Sequence, residues 1–134
     1  MVDLQLLPYR YDPGEHRMKH CSDRPQAHFR QEGSAFIGVC PSTLSKQKAE
    51  ELLQQGVPHY RPGARHPEKV YAVYEGVVYE ARRTEYGMTY HGFPWRGRPG
   101  HNRLPRPIKR ELQQRAERDG CLAAFNAWLD RYES

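Results

Sequence analysis

Long hydrophobic runs are missing from this chain of 134 residues. No stretch approaches the ~20 apolar residues of a helical membrane span, so no membrane partner is expected. The opening Met1-Val2-Asp3-Leu4-Gln5-Leu6-Leu7-Pro8 has neither a basic segment nor a long apolar one. That argues against a classical secretory signal. Cysteine is scarce: Cys21, Cys40 and Cys121 are odd in number and include no Cys-x-x-Cys pair. A disulfide framework is therefore not expected, although a Cys21–Cys40 bridge stays open. The expected setting is the cytoplasm, or delivery by a specialised secretion system that needs no such signal. Apolar residues are also few, at 37%, with a mean hydropathy of −0.95. The core must be small, and nine Tyr, against four Phe and two Trp, must supply much of it. The length suits one domain.

Arginine is what the chain has in quantity. Sixteen of its 21 basic residues are Arg, and their placement is uneven. Residues 57–110 hold eleven basic and four acidic side chains, a balance of +7, whereas residues 1–56 balance to zero and 111–134 to −2. Arg forms forked hydrogen bonds to phosphate and stacks on bases. A basic middle section interleaved with Tyr, Trp and His suits a nucleic-acid-facing surface. A solvated basic face is the plainer alternative.

Pro8, Pro13-Gly14 and Pro25 break up residues 1–33, which read as an irregular N-terminal arm. Residues 34–134 read as a single α+β domain: a small, mainly antiparallel sheet of about four strands, one helix before its meander and two after. Residues 34–40 form a short strand ended by Pro41. Ser42, Thr43 and Ser45 offer N-caps for a helix over 43–55, closed by Gly56 at C′. Residues 57–69 read as loop. The meander follows, with strands over 70–74, 77–82 and 88–93 and turns at Glu75-Gly76 and Glu85-Tyr86-Gly87. Pro94 to Pro107 is a basic loop. Helices over 107–118 and 121–132 close the chain, parted by Asp119-Gly120. The helices are expected on the sheet face carrying Tyr79 and Ala81. The other face, with Glu80 and Arg82, is expected to front a cleft roofed by residues 94–106.

Metal-independent RNA cleavage needs a base for the ribose 2′-OH, an acid for the leaving 5′-oxygen, and a cation for the phosphorane charge. Glu80, His91, and Arg82 or Arg83 offer these groups on neighbouring strands. An exposed Glu80–Arg82 salt bridge is the simpler reading of the same residues. The order Glu, Arg, His along a meander, followed by an aromatic and basic tail, resembles the barnase-like ribonuclease toxins. Tyr90-His91-Gly92-Phe93-Pro94-Trp95 resembles the Tyr-His strand ends of bacterial secreted-toxin domains. Two C-terminal helices and a short Arg–His spacing depart from that pattern. The resemblance implies Glu80 as base, His91 as acid and Arg82 or Arg83 as phosphate ligand, with no cofactor.

The expected function is thus a small bacterial toxin- or effector-type domain that cleaves RNA. The alternative is a non-catalytic binding protein: an immunity or adaptor partner, or a nucleic-acid-binding module. Its grip would be the Arg-rich 94–110 loop. Either way the nucleic-acid-facing set is Tyr90, Trp95, Arg96, Arg98, Arg103 and Arg106, with Trp95 exposed between its arginines. RNA, or a cognate inhibitor or other acidic protein, is the expected partner. Other constellations are thinner. His16, His20, Cys21, His28 and Cys40 include one His-x₃-His pair but no second clean pair, so no metal site is expected. Cys21 or Cys40 beside His28, His59 or His91 lacks a nucleophile signature. The last helix is too apolar and acidic for a recognition helix. No convincing ADP-ribosyltransferase pattern occurs.

Overall fold

The computed structural model describes residues 10–11, 27–32, 35–41, 44–84, 89–97 and 103–133. In chain order the elements are β1 (Arg10–Tyr11), β2 (His28–Glu32), β3 (Ala35–Val39), α1 (Lys46–Gln55), β4 (Val57–His59), β5 (Lys69–Tyr74), β6 (Val77–Arg83), β7 (Thr89–Pro94), α2 (Arg106–Arg118) and α3 (Leu122–Tyr132). The fold is α+β. One sheet runs β1-β7-β6-β5-β4, antiparallel throughout except for β1, which lies parallel to β7. A separate antiparallel hairpin joins β2 to β3.

Local chemistry accounts for most of these boundaries. Ser45 is the N-cap of α1, its hydroxyl accepting from the Lys48 N–H at 3.0 Å; Ser42 and Thr43 lie outside the described residues. Between β5 and β6, Glu75 (φ 51°) and Gly76 (φ 83°) are both left-handed, as a two-residue hairpin turn requires. The turn at 85–87 falls outside the described residues. Pro107 lies in the first turn of α2, where a missing N–H costs nothing.

Several expectations need correction. The irregular arm contains two strands, β1 and β2, and the 57–69 loop contains a third, β4. β4 carries Pro58 and lies at a sheet edge, where proline is tolerated. Gly56 is extended (φ −69°) and not left-handed. Glycine suits it for another reason: a Cβ there would strike the Val70 side chain and the Tyr71 carbonyl.

The larger correction concerns the faces. Only α1 lies on the face of Tyr79 and Ala81. There Leu53 packs with Val70, Tyr90 and Ala81, and Leu44 with Cys40 and Tyr79. Helices α2 and α3 cover the other face, where Tyr71, Val73 and Val78 meet Trp95, Leu104, Ile108, Leu112, Ala116, Phe125 and Leu129. That face is apolar at its turn end and charged at its far end. Its Val73–Val78 rung therefore takes a helix layer, because a sheet buries any apolar face it has. Glu80 has no exposed surface, so it does not face solvent as expected. Trp95 and Leu104 sink into the core and do not roof anything. Among the described residues no helix is long and apolar enough to cross a membrane.

Candidate functional site

The charged end of the sheet forms where β5 starts, β6 finishes and β7 starts. Antiparallel register sets Lys69, Arg82 and His91 side by side as one rung, and Tyr71, Glu80 and Phe93 as the next. Strand residues two apart share a face, so all six project to one side. Three of the four catalytic candidates, Glu80, Arg82 and His91, thus share one patch. Arg83 does not join them. It stands opposite Tyr90 and belongs to the other face.

Glu80 dominates this patch electrostatically. Its Oε2 accepts from Arg82 Nε, and Lys69 Nζ lies 3.9 Å away. Its Oε1 is buried without a hydrogen-bond partner. An orphaned buried acceptor costs about 1–3 kcal/mol. Beside it, burial pushes the Tyr71 phenol well above its ordinary value; the Glu80 charge adds to the rise and Arg82 opposes it. Arg82 keeps half of its side chain exposed, and its guanidinium lies 5.4 Å from the Phe93 ring centroid. His91 is half-buried, its ring 6.4 Å from that of Phe93. In this arrangement Arg82 can meet an outside anion. Glu80 has no exposed surface and meets nothing outside in this arrangement.

The same end of the sheet bears a feature that the sequence reading missed. A hollow of about 460 Å³ is lined by Arg61, Ala64, His66, Glu68, Lys69, Arg82 and Arg83. The segment after β4 folds back over the strand ends, tied by the Glu68 N–H to the His59 carbonyl (2.9 Å) and the Arg83 N–H to the Glu68 carbonyl (3.4 Å). Arg61 pairs with Glu68 at 2.8 Å and, by that hydrogen bond, holds its carboxyl below the usual range. Four fixed cations thus face the hollow against Glu68 alone on its wall, with Glu80 buried beneath. The available signal was the Arg and His density of Arg61-Pro62-Gly63-Ala64-Arg65-His66.

The expected nucleic-acid set fares differently. Trp95 is wholly buried, and not exposed as expected. Its N–H still pairs with the Val78 carbonyl at 2.7 Å, and its own carbonyl accepts from Trp128 Nε1 at 3.1 Å. A chain with so little apolar material spends its Trp on the core. Tyr90 is buried too, its hydroxyl donating to the Pro67 carbonyl. Neither ring is open to a base. Arg96 is half-buried, its guanidinium 5.6 Å from each of the Phe29 and Tyr132 rings. Arg103 and Arg106 are exposed at the start of α2. Arg98 lies outside the described residues, as do His16, His20 and Cys21. Among the described residues no three His, Cys, Asp or Glu cluster as metal ligands would. Cys40 and Cys121 form no disulfide, and Cys40 is buried beside Leu44 and Tyr79.

No family model matches the chain, and no curated protein or solved structure matches it either.

Proposed function

We propose that this protein binds RNA by its phosphate backbone, in the hollow between the β4–β5 connection and the adjoining ends of β5 and β6. The supporting observation is that Arg61, Lys69, Arg82 and Arg83, from three segments of chain, ring one concavity with a single acid on its wall. Guanidinium groups match phosphate oxygens geometrically, and each contact releases condensed counterions. The interface thus moves away from the 94–110 loop, whose tryptophan, Trp95, is committed to the core. Arg61 and Arg83 are exposed, which makes them suitable for a test. An Arg61→Gln/Arg83→Gln variant should keep its melting temperature and bind RNA at least tenfold more weakly. Its log Kd against log salt slope should fall by about 0.7 for each contact removed. Unchanged affinity and slope would overturn the reading.

The second reading is a toxin- or effector-type ribonuclease, with an acidic inhibitor protein as the natural partner of the same basic surface. It draws on the unpartnered Glu80 Oε1 beside Arg82 and His91. A phosphate would draw Arg82 away from Glu80. Glu80 would then take the 2′-OH proton as the 2′-oxygen attacks phosphorus. His91 would protonate the departing 5′-oxygen, leaving a 2′,3′-cyclic phosphate. Purified wild type should then degrade total RNA in EDTA, and His91→Ala should lose at least a hundredfold in rate. Intact RNA with wild type would remove this reading and leave the binding one standing.

A further inference from the structure

Tyr60 is the one large hydrophobic side chain exposed among the described residues, with 49% of its surface open. Tyr71, Tyr74, Tyr79, Tyr90 and Tyr132 are all buried or half-buried. An exposed aromatic alone means little; its position matters here. Tyr60 directly follows β4 and directly precedes Arg61, which lines the basic hollow. The electrostatics of Tyr90 agree with that position. Burial pushes the Tyr90 phenol up, Arg83 opposes that rise, and Tyr60 adds to it. Tyr60 and Arg83 are therefore both within electrostatic reach of the Tyr90 hydroxyl, which is itself bonded to the Pro67 carbonyl. An open aromatic ring is thus joined in the chain to Arg61, on the wall of a cationic concavity.

We infer that Tyr60 is a base-stacking platform that makes the hollow selective for single-stranded RNA. One unpaired base lies on its ring while Arg61 and its neighbours hold the adjoining phosphates. This rests on the hollow being a phosphate seat, as proposed above. Selectivity follows from access. A duplex buries both faces of each base and presents only edges, so a lone tyrosine has nothing to stack on. In a single strand every base has a free π-face, and such stacking needs no particular sequence. Phosphate contacts alone, by contrast, hold single and double strands alike.

The test uses fluorescein-labelled 2′-O-methyl oligoadenylate, which has no 2′-OH to attack, beside a 2′-O-methyl hairpin duplex of equal charge. Anisotropy titrations compare wild type, Tyr60→Ala, Tyr60→Phe and the Arg61→Gln/Arg83→Gln variant. Tyr60→Ala should lose about five- to a hundredfold in affinity for the single strand. It should bind the duplex as wild type does and keep the wild-type salt slope. Tyr60→Phe should restore single-strand binding. Single-strand affinity unchanged in Tyr60→Ala, or lost equally on both probes, overturns the inference. The phosphate seat survives that result if the double Arg variant still binds weakly. Failure of wild type to bind either probe overturns both.

Discussion

A carboxylate with no exposed surface depends for its partners on the protein around it. Glu80 has Arg82 on one oxygen, Lys69 at 3.9 Å, and nothing on the other oxygen. Breaking a buried pair from one side is far more damaging than never having made it. Arg82 is thus a structural partner before it is anything else, and any role in binding must leave Glu80 covered or put it to use. The neighbouring Tyr71 carries a measurable signature of the same patch. Its folded-state phenol is raised above the ordinary 10.0, first by burial and then by Glu80. The folded protein holds that proton more tightly than the unfolded chain. The associated stability is therefore complete below the unfolded value and drains away as pH rises beyond it. Melting temperature should decline above about pH 10, and Tyr71→Phe should flatten part of the decline. Coincident wild-type and Tyr71→Phe curves would contradict this. At this scale the sequence was informative where period-2 alternation applies. Glu80 and Arg82 fall on one face by counting, and His91 joins them once β6 and β7 pair. Trp95 misled because flanking arginines say where a residue lies in the chain and nothing about the volume a small core must fill.

At the level of elements, α1 was the easiest to read, since a helix carries its own signals. Its hydroxyl cap, apolar stripe and closing glycine all lie within a dozen residues. Ser45→Ala removes the acceptor for the Lys48 N–H and should cost about 1 kcal/mol. The urea midpoint should shift with an unchanged m-value; no shift would mean that the tertiary seat of α1 alone sets its start. Strands β4 and β2 were hidden for the opposite reason. Val57-Pro58-His59 has no alternation of its own and becomes a strand only against Lys69–Tyr71. His28–Glu32 likewise takes its identity from its pairing with Ala35–Val39. The helix faces were hidden too. Val78 sits in the same row as Glu80 and Arg82, so a single strand read alone looks charged where the assembled sheet is apolar.

Among the described residues, helices lie on both broad faces of the sheet and leave the strand ends beside the β4–β5 connection uncovered. The basic hollow lies there. Its cations come from positions 61, 69, 82 and 83; the β5–β6 ladder brings the last three together, and the chain folding back after β4 adds Arg61. The excess of positive charge between residues 57 and 110 could be counted in advance. Its focus could not, because that depends on the chain crossing back over itself after β4.

Strand β1 pairs with β7, Arg10 against Thr89 and Tyr11 against Tyr90. The core that begins at Val57 closes with Leu129, and the Gly97 N–H meets the Tyr132 carbonyl at 2.9 Å. A ribosome makes β1 well before its partner β7. Translation at ~5–20 residues per second leaves β1 waiting several seconds for its neighbour. The apolar face under α2 and α3 stays uncovered until both helices have left the exit tunnel. A ribosome stalled before α3 would therefore hold a sheet without the Phe125 and Leu129 side chains that pack in its core.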